Sequence, residues 1–114
     1  DAFDRSQRYY DQVASVHPAY LALVNKGRGQ ALLALDRPLL AADYLERALL
    51  AVREHSLDRL ELADTLWTLA RALRAGHPGA NARARALATE ALAIYESGDG
   101  MRGRAAEIAA WLRH

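Results

Sequence analysis

The sequence predicts an all-α fold of about six helices, arranged as antiparallel helix pairs that stack on one another, and three observations carry that expectation. Alanine, leucine, arginine and glutamate dominate a chain of 114 residues that is 52% hydrophobic but only 7% aromatic, so strong helix formers abound and strand formers are scarce. Apolar residues recur at mixed spacings of three and four, the period of a helix face. Proline and glycine clusters divide these stripes at His17-Pro18, Asp36-Arg37-Pro38, Gly76-His77-Pro78-Gly79 and Ser97-Gly98-Asp99-Gly100.

Each element follows from its own pattern. Phe3, Tyr10, Val13 and Ala14 give residues 1–16 one apolar face, with Arg5, Gln7, Arg8 and Asp11 on the other. His17-Pro18 ends it, because a residue before proline is pushed out of the α region. A second helix runs from Ala19 to Leu35, with Gly27 and Gly29 inside it at ~1 kcal/mol each against alanine. Pro38 opens a third, to His55, whose stripe is Ala41, Leu45, Ala48, Leu49 and Val52. Ser56 or Asp58 caps a fourth, Asp58 to Ala75, with Leu62, Leu66, Leu69 and Leu73 inward. Gly76 is expected as the left-handed residue that ends it. Asn81 caps a fifth helix to Glu96, and a short sixth, Met101 to Arg113, offers Ala105, Ile108, Ala109 and Leu112 to the core.

A chain of this length is one domain with a real core. No apolar run nears the ~20 residues of a membrane span and the start does not resemble a signal peptide, so a soluble chain with no membrane partner is expected. The lack of cysteine excludes disulfides and thiolate metal sites and fits the cytoplasm. A net charge of +1 with interleaved signs gives no reason to expect nucleic acid. Opening on Asp1 rather than methionine reads as a piece of a longer polypeptide.

The second and third helices match the fourth and fifth. Gly29 falls on Ala70 and Leu32 on Leu73 at an offset of 41, while Ala41 falls on Ala84 and Ala48 on Ala91 at an offset of 43. The offset grows within the loop holding His77-Pro78-Gly79, where a repeat of helix pairs tolerates insertion. Small residues at Gly29, Ala70, Ala41 and Ala84 let paired helices approach closely, Leu32 and Leu73 fill the space beside them, and Ala48 and Ala91 let the next pair stack.

Small residues followed three positions on by a large one, with alanines seven apart on the next helix, resemble the tetratricopeptide repeat. The period is similar to its longer, kinesin-light-chain-like variant in bacterial regulatory proteins. The resemblance implies a right-handed α-solenoid: residues 1–18 the orphan second helix of a preceding repeat, 19–56 and 57–98 two repeats, and 99–114 a capping helix. It also implies a non-catalytic protein–protein interaction scaffold, in a parent that often carries a serine/threonine kinase or regulator domain. Asn25 and Leu66 replace the usual aromatic of the first helix, Arg28 an apolar residue, and Asp36 the turn glycine.

In this family the first helices line a concave groove. Carried over, its positions fall on Leu23, Lys26, Gly27, Gln30 and Leu33, and on Asp64, Trp67, Thr68, Arg71 and Arg74. Lys26, Gln30, Trp67, Arg71 and Arg74 would then hold an acidic peptide or partner, arginine forks on carboxylates and the Trp67 ring under an apolar or cationic side chain. The alternative leaves both arginines as a solvated face and Trp67 packed on a neighbouring helix. The rival role is self-association into a homo-oligomer through exposed apolar ends. No catalytic residue, metal site or cofactor is expected. Gly27-Arg28-Gly29 lacks the strand and Lys-Ser/Thr of a phosphate loop, the four histidines sit at helix ends without a second ligand, and no serine has a nucleophile's context. Arg83, Arg85, Arg102 and Arg104 form a basic patch without interleaved aromatics.

Overall fold

Proline and a carboxylate set the helix starts. Pro18 and Pro38 each occupy a first turn, where a missing N–H costs nothing, and Asp58 Oδ1 accepts from Leu60 N at 2.6 Å ahead of the fourth helix. The computed structural model describes residues 4–8, 17–55, 58–98 and 101–114. Residues 4–8 are helical (α1), followed by α2 (Pro18–Ala34), α3 (Pro38–Glu54), α4 (Arg59–Gly76), α5 (Asn81–Glu96) and α6 (Arg102–Leu112). The described residues contain no strand. Phe3, the apolar stripe of residues 9–16 and the candidate cap Ser56 lie outside them.

Two expectations about helix ends are corrected. Gly76 is the last residue of α4 rather than a left-handed stop, and His77 follows as the C-cap. Glycine is required there by space: a Cβ would sit 3.1 Å from both Leu39 N and Pro38 Cβ, so the end of α4 lies directly on the start of α3. Asn81 is no cap either, because a 3-10 turn over Pro78–Ala80 feeds straight into α5 and Ala80 takes the boundary position. The left-handed residue is instead Asp36, at φ 59°. Arg37 N donates to Leu32 O at 2.8 Å and Asp36 N to Leu33 O at 3.1 Å, the paired bonds of a Schellman turn. This turn folds α3 back along α2.

The first pair closes on a glycine. A Cβ on Gly29 would lie 2.7 Å from Leu45 Cδ2 and closer still to Cγ, and Leu45 is wholly buried. Gly27, one turn face away, has nothing within 4 Å of such an atom. Ala41, Ala48, Ala70, Ala84 and Ala91 have no exposed surface, Leu73 is buried, and Leu32 is half-buried against the same core. Trp67, Leu66, Leu69 and Ile108 fill the centre with Leu45.

Cross-links sort the helices into two layers. Lys26 ties α2 to α4, and Trp67 meets Trp111 between α4 and α6. On the other side Arg53 pairs with Glu90 and Arg83 with Glu46, each through two hydrogen bonds, linking α3 to α5. The molecule measures 42 × 30 × 20 Å, and its least dimension matches two helices at about 10 Å each.

Candidate interaction groove

The α2–α4 seam presents one residue per turn from each helix. Ala19, Leu23, Lys26, Gln30 and Leu33 recur at three and four on α2, opposed by the cap residue Asp58 and by Glu61, Asp64, Thr68 and Arg71 of α4. Lys26 stands midway, its Nζ 2.6 Å from Glu61 Oε2 and 3.1 Å from Asp64 Oδ2. Burial alone would lower the Lys26 pKa, but hydrogen bonds and charge from the two carboxylates outweigh it and hold the ammonium above its ordinary value.

Beyond Lys26 the seam opens into a recess of about 410 Å³ lined by Gln30, Leu33, Ala34, Thr68 and Arg71. Thr68, fully buried beneath the recess, donates from Oγ1 to Asp64 O at 2.8 Å. The Arg71 guanidinium lies 5.1 Å from the Trp67 ring centroid and reaches Thr68 Oγ1 only at 3.4 Å. Its Nε is buried without a hydrogen-bond partner, and among the described residues no carboxylate stands within ion-pair distance of it. Burial holds its pKa below the arginine range; Glu107 offsets this from a distance and Arg104 adds to the lowering. Arg71 is therefore a cation partly stripped of water with no direct counter-ion.

Trp67 does not line an open groove. It is 1% exposed, and Trp111 of α6 meets it edge to face at 5.2 Å and 83°. Arg74 is engaged in the same place: its guanidinium lies 3.2 Å from the Trp111 ring centroid and Nη1 donates to Trp111 O at 2.8 Å. Arg85 Nη1 donates to Leu112 O at 2.7 Å, so two arginines hold the carbonyl end of α6, where the helix dipole favours positive charge. Of the five proposed groove residues, Gln30 and Arg71 share the recess, Lys26 bridges its edge, and Trp67 and Arg74 serve the α6 contact.

No protein-family model, curated protein or solved structure matches the chain.

Sequence reasoning missed Glu61 as the nearer partner of Lys26. The available signal was the repeat offset: the position equivalent to Lys26 in the next copy is Trp67, and adjacent helices meet a turn or two short of the equivalent residue, at Asp64 and Glu61. Asn25 was read only as a departure from the repeat. It is 1% exposed with Oδ1 unpartnered, and it faces a separate recess on the α1 side of the molecule with Arg47, Glu54 and His55. Arg28 donates from Nη1 to Gln7 Oε1 at 2.7 Å and lies 5.4 Å from the Tyr44 ring, which explains a charge at an apolar position. Arg47 also turns to Tyr44, at 5.3 Å. The basic patch is divided among partners, Arg83 on Glu46, Arg85 on α6 and Arg104 near Glu107 at 3.7 Å. His17, His55, His77 and His114 are exposed, and the described residues contain no cluster of metal-ligating side chains.

Proposed function

We propose that this domain is a protein-interaction module whose α2–α4 seam holds an acidic segment of a partner protein, with a carboxylate on Arg71. The observation that carries the reading is the Arg71 guanidinium, partly desolvated in an open recess and, among the described residues, without a carboxylate within ion-pair distance. A planar fork in that state binds a carboxylate more strongly than a solvated surface arginine does. Gln30 across the recess supplies an amide for the partner's backbone. The two helix pairs act as tetratricopeptide-like repeats in a right-handed solenoid and α6 as its cap, a reading supported by the small-residue offsets and the two-layer packing. The same resemblance gives the domain a non-catalytic, cytoplasmic role beside a regulatory or kinase domain.

Fluorescence anisotropy with a labelled hexaglutamate peptide tests the reading. Arg71→Gln should weaken binding at least tenfold, while Arg37→Gln, on the exposed α2–α3 turn, should leave it unchanged. Equal losses in the two variants would reduce the attraction to general charge and remove the reading.

Self-association is the second reading, and the α2–α3 turn favours it. Leu35, Leu39 and Leu40 are 70%, 53% and 41% exposed within six residues of sequence. Apolar patches of this kind mark contact surfaces. Sedimentation velocity decides: Leu39→Lys with Leu40→Glu should dissociate an oligomer, whereas a concentration-independent monomer in the unaltered protein eliminates it.

A further inference from the structure

The seam continues past Lys26 in the other direction, and its two ends differ. Toward the start of α4 lies a slot of about 210 Å³ walled by Ala19, Ala22, Leu23 and Val52, with Asp58 and Glu61 on its rim. That volume is below the range of small-molecule pockets and suits a single apolar side chain. Leu23 leaves about half its surface in water there. Asp58 and Glu61 give this end its negative charge, and Lys26 bridges Glu61 to Asp64 at its inner limit. The opposite end carries Arg71, with no carboxylate of the described residues within ion-pair distance.

We infer that the seam reads a partner segment of ordered charge: an apolar residue with an adjacent lysine or arginine at the slot, and an acidic residue at Arg71. This rests on the interaction reading above and adds the order and spacing of the partner's side chains. Ten residues of α4 separate Glu61 from Arg71, about 15 Å at 1.5 Å per residue. An extended strand advances about 3.3 Å per residue, so the basic and acidic residues of the partner stand about five positions apart. The Lys26 bridge closes the seam floor between the two recesses, so the segment crosses over it and is held at its ends.

Three labelled peptides separate the possibilities. The first carries Leu-Lys, then four Gly/Ser residues, then Glu; the second has the same composition with Lys and Glu exchanged; the third is the hexaglutamate probe. Chain reversal returns the charges of the second peptide to register but carries its leucine to the Arg71 end, so the slot stays empty. The first should bind at least tenfold tighter than the second, and Glu61→Gln should narrow that gap without weakening hexaglutamate. Circular dichroism of the variant confirms that it is folded. Equal affinities for the first two peptides, with hexaglutamate still bound through Arg71, overturn the charge order and leave the interaction reading standing. Failure of all three to bind overturns both.

Discussion

At the scale of single residues, two glycines on one helix make opposite predictions. Gly29 faces the wholly buried Leu45 and Gly27 faces open space. Gly29→Ala should destabilise by about 1–3 kcal/mol through overpacking, while Gly27→Ala should stabilise by up to about 1 kcal/mol through helix propensity. Urea denaturation of both variants checks the pair; the same sign for both would show that the register of α2 on α3 is wrong. Asp36 invites the reverse exchange. An L residue at φ 59° carries a steric cost that glycine lacks, so Asp36→Gly should gain about 0.5–1 kcal/mol after its larger unfolded entropy is deducted. A raised midpoint of thermal unfolding is the expected result. The reason for Gly29 was legible in sequence because its equivalent Ala70 is also small. Trp67 was misjudged because its environment depends on Trp111, 44 positions later, and no local pattern announces that contact.

Elements were more legible than sites. Helix bounds follow from Pro18, Pro38 and the Asp58 cap to within a residue, because proline geometry and capping act locally. Asn81 misled since an asparagine after Pro-Gly-Ala reads as a cap, whereas the 3-10 turn delivers helical geometry one residue early. The two kinds of polar contact that hold the elements should separate in strength. Asp58→Ala removes a cap from α4 and should cost about 1 kcal/mol, whereas Glu90→Gln breaks an exposed pair with Arg53 and should change stability by no more than about 0.5 kcal/mol. Unfolding midpoints in low and high salt test the contrast, with salt expected to shrink only the second effect.

At the scale of the molecule, alkaline stability reports on how the two layers close. Tyr95 of α5 is buried with its hydroxyl facing Asp64 of α4 at 3.4 Å, and burial, helped by that carboxylate, pushes its pKa from 10.0 up to about 12. The folded protein holds this proton more tightly than the unfolded chain does. The resulting stability is complete below pH 10 and is lost as pH rises to about 12, a change on the order of 1–2 kcal/mol. Tyr95→Phe should flatten that limb, measured as unfolding free energy against pH relative to the unaltered protein; an identical slope would place Tyr95 in water. Inter-helix contacts were out of reach of sequence for a definable reason. The ion pairs from α2 to α4 and from α3 to α5 join residues 35, 37 and 38 apart, each short of the repeat offsets of 41 and 43, because neighbouring helices meet beside their equivalents and not at them.

The two ion pairs between α3 and α5 share one spacing but are crossed in sign. Glu46 of α3 meets Arg83 of α5, and seven residues on, Arg53 of α3 meets Glu90 of α5. A slide of two helical turns in one direction would set Glu46 against Glu90, and in the other Arg53 against Arg83. Each pair adds little to equilibrium stability, yet together they work like the wards of a key. Their yield is fidelity: collapsed chains with α5 displaced along α3 meet like charges, and of the alignments two turns apart only the native one is free of repulsion.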